Sequence, residues 1–114
     1  MPQIFRKNLE KLVLENTAYR RVLTTTPQLQ LVAMSIPVGQ EIGFETHHSA
    51  TQFLKLEGGS CVVYMLGLRY NLSAGDSIVI PPNTRHNVKS TGDLKLYSIY
   101  SPPEHPKGLV QMTK

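Results

Sequence analysis

From about residue 28 to residue 100 the chain is a succession of short β-rich runs cut at close intervals by glycine turns, while helical periodicity is weak everywhere. The runs QLQLVAMSI, QFLKLE, CVVYML, LRYNL, DSIVI, HNVKS and LKLYSIY are punctuated by Gly58, Gly59, Gly67 and Gly75, and SPPEHPKG ends the series. Evenly spaced short strands of this kind predict an all-β sandwich or barrel. QEIGFETH reads as one more strand, with Glu41, Gly43, Glu45 and His47 on one face and Ile42 and Phe44 on the other. NLEKLVLE, residues 8 to 15, is either a short helix or an extended arm. The expected layout is a single domain, residues 28–114, preceded by an amino-terminal arm, residues 1–27, that packs on the barrel or on a dimer partner.

A chain of 114 residues suits one compact domain that buries roughly two thirds of its unfolded surface. No apolar run approaches the roughly 20 residues that cross a bilayer, and no signal-peptide pattern opens the sequence, so the expected location is cytoplasmic, without membrane attachment. Cys61 is the only cysteine and sits in the apolar run CVVYML, which makes it a small buried hydrophobe and excludes an intramolecular disulfide. The net charge of +4 comes mostly from Arg6, Lys7, Lys11, Arg20 and Arg21. Without interleaved aromatics these read as a solvated surface, and no nucleic-acid partner is expected.

Glu45 and His47, two apart on a strand, project from one face and offer two metal ligands at once. Gln52 opens the alternating face Gln52, Leu54, Leu56 with a neutral oxygen donor, and His86 follows a proline turn as a second imidazole. One carboxylate, two imidazoles and an amide oxygen favour manganese, iron, nickel or zinc over calcium or copper(I). The same four side chains can also satisfy one another as a buried hydrogen-bonded network without metal. His48 alternates to the opposite face and is a rim residue. Arg85 points outward, His105 in PPEHP is solvent exposed, and Tyr64, Tyr70, Tyr97 and Tyr100 are packing or interface residues, any of which can also line the pocket.

The spacing resembles the two cupin motifs. Gly39, five residues, Glu45, one, His47, four, Gln52, six, Gly59 is similar to the first; Gly75, five, Pro81, one, Asn83, two, His86 is similar to the second; and fifteen residues separate them. LENTAYRRVL, QLQLVAMSI, EIGFETH, TQF, PPNTRHNV and LKLYSIYSPPEHP also resemble a subgroup of small cupins labelled mannose-6-phosphate isomerase-like. The resemblance implies a double-stranded β-helix (jelly-roll) barrel of the RmlC-like kind. It further implies a homodimer, because cupins commonly cover their strand edges by pairing subunits. Most metal cupins carry histidine where this chain has Glu45 and glutamate where it has Gln52, so one anionic ligand survives the exchange. Asn83 stands where the second motif usually has glycine, and asparagine also adopts a left-handed turn.

Two functions follow. In one, a divalent transition ion holds a small sugar-like or keto/hydroxy substrate, and Glu45 or a metal-bound hydroxide relays a proton in an isomerase or dioxygenase type of reaction. In the other, the domain binds a small molecule without catalysis. No glycine-rich phosphate loop is present, and Lys55, Arg69, Arg85 and Lys89 are scattered, so no phosphate clamp is evident.

Overall fold

The computed structural model describes residues 2–114. A short helix, α1 (Leu9–Glu15), is followed by seven strands: β1 (Arg20–Thr25), β2 (Gln30–Ile36), β3 (Thr51–Met65), β4 (Leu68–Ser73), β5 (Ser77–Ile80), β6 (His86–Ser101) and β7 (Val110–Gln111). The chain is thus all-β, as the strand pattern predicts, and forms the jelly roll that the resemblance implies. Asn8 starts α1 by accepting the Lys11 N–H at 3.0 Å, and Val13 anchors the helix with no exposed surface. Within the stretch read as an arm, Arg20–Thr25 forms a sheet strand, antiparallel to β2. No helix among the described residues is long and apolar enough to cross a membrane.

The long strands β3 and β6 build both walls of the barrel. QFLKLE and CVVYML, expected as separate strands, are the two halves of β3, and HNVKS and LKLYSIY are the two halves of β6. One half of the pair, Thr51–Leu56 against Leu96–Ser101, is flanked by β5 and β2; the other, Cys61–Met65 against His86–Ser90, is flanked by β4. Between them the register shifts three times around Gly58 and Ser60, which bends the pair from one wall into the other. Gly59 sits at this corner with φ +77°, and a Cβ there would overlap the backbone carbonyls of Gly92 and Asp93. Only glycine fits.

The core lies between the walls, where Leu54, Leu56, Val63, Leu94 and Leu96 are fully buried. Burying a side chain of this size contributes roughly 1.5–3 kcal/mol. Cys61 is buried and free, as expected, and burial pushes its thiol up to about 11.

QEIGFETH departs from the strand reading. It touches the sheet only through bridges at Glu41–Lys89 and Glu45–His86. Gly43, at φ +100°, breaks the alternation, so that Ile42 packs against the core, Phe44 is exposed and Glu45 turns inward. Glu41 and Glu45 therefore do not share a face.

Candidate metal centre

Glu45, His47 and His86 each bring one ligand atom to a common point, with all three atoms within 4.8 Å of one another. The Glu45 Oε1 lies 3.3 Å from His47 Nε2 and 3.7 Å from His86 Nε2. These separations are longer than the 2.7–2.9 Å of a charge-assisted hydrogen bond. Two ligands about 2.1 Å from one ion lie roughly 3.0 Å apart at right angles and 3.4 Å in a tetrahedron, so the 3.3 Å pair fits and the 3.7 Å pair is slightly wider.

The two imidazoles are preset for this. A carbonyl oxygen can only accept, so the 2.8 Å contact from His86 Nδ1 to the Thr84 carbonyl places the ring proton on Nδ1 and leaves Nε2 with a free lone pair. His47 turns Nδ1 toward the Glu104 carboxylate, 3.4 Å away, and its Nε2 also faces Glu45. Both Nε2 atoms are buried and lack a hydrogen-bond partner. Gln52, 2% exposed, donates from Nε2 to Ser98 Oγ at 3.0 Å, which leaves its Oε1 buried and without a partner as well. Two unpaired nitrogens beside a carboxylate are costly to leave bare, and a divalent cation is what such a donor set suits.

A proton competes with a cation for this cluster, because the carboxylate also favours the charged His47 ring. Burial pushes the Glu45 carboxyl up, but the neighbouring His47 and His86 rings outweigh it and hold it far below the usual carboxylate range. In return the Glu45 carboxylate raises His47, against the opposing effect of burial, and Glu104 adds to the rise. The carboxylate is ionised at any physiological pH.

Local structure explains the placement. The Gly43 N–H donates to Asn87 Oδ1 at 2.9 Å, and Glu45 exchanges two backbone hydrogen bonds with His86. Asn83 adopts the left-handed turn expected of it, with φ +60°, and its N–H donates to the His47 carbonyl at 2.7 Å. The two motifs are stapled there. Residues 86 and 100 stand at opposite ends of β6, about 46 Å apart if the strand ran straight. Yet the rings of His86 and Tyr100 lie 5.4 and 5.2 Å from that of His47, because the corner folds β6 over the site.

His48 is exposed and contacts Asn83, away from the cluster. Arg85 also points outward, its Cζ 4.3 Å from the Phe44 ring centre, where both border an outer groove of about 410 Å³. His105 differs from expectation. Its ring meets Tyr100 edge-on at 5.2 Å, its Nε2 is buried without a partner, and burial followed by the Arg20 charge pushes it down to about 4. The cause is Gln30, fully buried in β2, whose Oε1 accepts the backbone N–H groups of Glu104 and His105 while its Nε2 donates to the His105 carbonyl. This clamp pulls the proline-bracketed tail inward. Glu104 and Gln30 were not singled out by the sequence pattern, and Tyr100 was named only among the packing tyrosines; the available signal was one glutamine opening a mostly apolar strand and two titratable residues between prolines.

Comparison with known proteins agrees with the geometry. The cupin domain family matches residues 32–100. The uncharacterized protein YrkC of Bacillus subtilis is 40% identical over 99% of this chain, which spans 65% of YrkC's length. The crystal structure of BH2720 from Bacillus halodurans is 43% identical, with a TM-score of 0.95 over 98% of this chain and 91% of that one. An RmlC-like cupin from Shewanella frigidimarina is 28% identical, with a TM-score of 0.69 over 75% of this chain and 77% of that one.

Proposed function

Because the chain belongs to the cupin domain family, we propose that Glu45, His47, Gln52 and His86 hold one divalent transition ion and that the barrel interior receives a small sugar-like or keto/hydroxy substrate. The observation that carries this reading is the pair of buried imidazole Nε2 atoms, unpartnered and converging on a carboxylate, with each ring's other nitrogen turned to an oxygen. The second reading is a metal-free network, in which the raised His47 ring pairs with Glu45 at 3.3 Å. Manganese, iron, nickel and zinc all suit the donor set.

When bound, the ion acts as a Lewis acid toward substrate oxygens. The protein's part is to fix the donors, exclude water and handle protons. Glu45, 30% exposed at its side chain and ionised, is placed to relay a proton in an isomerase or dioxygenase type of reaction. Membership of the mannose-6-phosphate isomerase-like subgroup and a cytoplasmic location belong to this proposal. So does a homodimer: the carboxy-terminal segment bonds this edge from Tyr19 to Val22, which leaves the Leu23–Thr25 end of β1 for a second copy to cover.

Elemental analysis after reconstitution with each of the four metals tests the site, and isomerase and dioxygenase assays on sugars and keto or hydroxy acids test the chemistry. Stoichiometric metal is expected; its absence in the parent protein means a hydrogen-bonded core. Metal without turnover on any substrate leaves a binding module.

A further inference from the structure

Arg69 and Arg85, scattered in the sequence, border one groove on the outside of the β3–β6 wall. Tyr64 alternates with the core residue Val63 and so turns to the outer face, where its ladder partner Arg69 lies with Cζ 5.7 Å from the ring centre. Across the groove the Arg85 Cζ lies 4.3 Å from the Phe44 ring centre. Such stacks occur roughly once per 70–80 residues, so two at one groove are more than a solvated surface calls for. No carboxylate among the described residues pairs with either guanidinium, and none lines the groove. A guanidinium stacked on a ring keeps its N–H edge free for an oxygen acceptor.

The rest of the lining is apolar and open to solvent. Phe44, Leu66 and Leu68 are 52%, 74% and 57% exposed, three large apolar side chains around one concavity of about 410 Å³. A volume of this size falls within the roughly 300–1,000 Å³ of small-molecule sites, and an apolar patch beside unpaired charge marks a place where something binds. A second copy of this chain meeting the groove about a twofold axis brings four guanidiniums together with no carboxylate from the lining, so the counter-charge has to come with a different guest. Inorganic phosphate brings charge but no apolar surface, and leaves Phe44, Leu66 and Leu68 wet.

We propose that this outer groove binds an aromatic carboxylate, its ring against Phe44, Leu66 and Leu68 and its carboxylate toward the Arg69 and Arg85 guanidiniums. The site is separate from the Glu45, His47 and His86 cluster, and the assignment stands whether or not that cluster holds metal.

Calorimetric titration of 2-naphthoate and of its uncharged isostere 2-naphthamide into metal-free protein tests it, with amide chemical shifts to locate each ligand. The parent is expected to prefer the carboxylate by about fivefold, the modest gain of two exposed ion pairs, with shifts centred on Phe44, Arg85 and the Leu66–Arg69 turn. That preference shrinks between roughly 0.05 M and 0.5 M sodium chloride as the charges are screened, a readout that needs no variant to fold. Arg69→Gln and Arg85→Gln each lose part of it and the double variant loses all of it, whereas Leu68→Ser weakens both ligands alike and keeps the preference. A parent without preference, a preference that survives high salt or the double variant, shifts centred on His47 and Tyr100, or inorganic phosphate bound as tightly as 2-naphthoate overturns the proposal. A parent dimer that Leu66→Ser splits in sedimentation assigns the groove to a second copy and overturns it too.

Discussion

His86 and His47 reach the same point from two runs of chain that are held by different means. His86 opens β6, its backbone sits in the ladder opposite Met65, and its ring is oriented by the Thr84 carbonyl only two residues away. His47 lies in a run with no strand of its own. Its carbonyl is tied to Asn83, the run before it hangs from Asn87, and its ring is turned by Glu104, which Gln30 in turn holds from β2. One histidine is placed by local backbone geometry, the other by side chains from three distant segments. Irregular backbone keeps a ligand in register only where such cross-links satisfy its hydrogen bonds.

The largest expected effect comes from the locally built side. His86→Ala should weaken metal binding by more than about 100-fold, beyond the range usual for loss of an outer partner, whereas His48→Ala, on the rim, should leave metal content unchanged. Elemental analysis distinguishes them, and equal losses would break the comparison. Next comes the remote support of His47: Glu104→Gln should reduce metal affinity by about tenfold, read by competition with a chelator, because the ring loses the carboxylate that orients it. An effect as large as that of His86→Ala would mean that Glu104 is itself a ligand. Asn87→Ala removes the acceptor for the Gly43 N–H and should cost about 1–3 kcal/mol in chemical denaturation.

The smallest effect is a control from the apolar part of the barrel. Burial raises the folded Cys61 thiol from 9.0 to about 11, so its neutral form is favoured by folding. That contribution is fully present below pH 9 and declines as pH rises from there toward 11, as the unfolded thiol ionises first. Denaturation of the parent and of Cys61→Ala across this window should converge, and iodoacetamide should label the native thiol only slowly at neutral pH. Rapid labelling would show that the wall opens.

The difference between the two histidines also explains what could be read from the sequence. The alternation of Gln52, Leu54 and Leu56 reflects a period that a strand imposes locally, and all three are buried in β3; Glu45, His47 and His86 do meet, although the run that carries Glu45 and His47 is not the strand that their spacing predicts. The face reversal at Gly43 was hidden because one left-handed glycine undoes an alternation without changing the apparent pattern. The inward turn of His105 depends on a glutamine 75 residues away. Such a long-range placement leaves no periodic mark. Merging the paired runs into β3 and β6 was equally invisible, since glycines that end most strands here sit at a bend within one.

The corner at Gly59 gives the pocket a fixed gauge. The wall with His86 and the wall with Gln52 and Tyr100 are continuous lengths of the same two strands, so their spacing is set by how sharply that pair folds over itself. Lengthening the turns at Gly67 or Gly75, where an added Cβ meets nothing, leaves that spacing untouched, while any side chain at Gly59 pries the walls apart at their root. The distance between the walls is therefore a property of the frame, which has no hinge with which to widen.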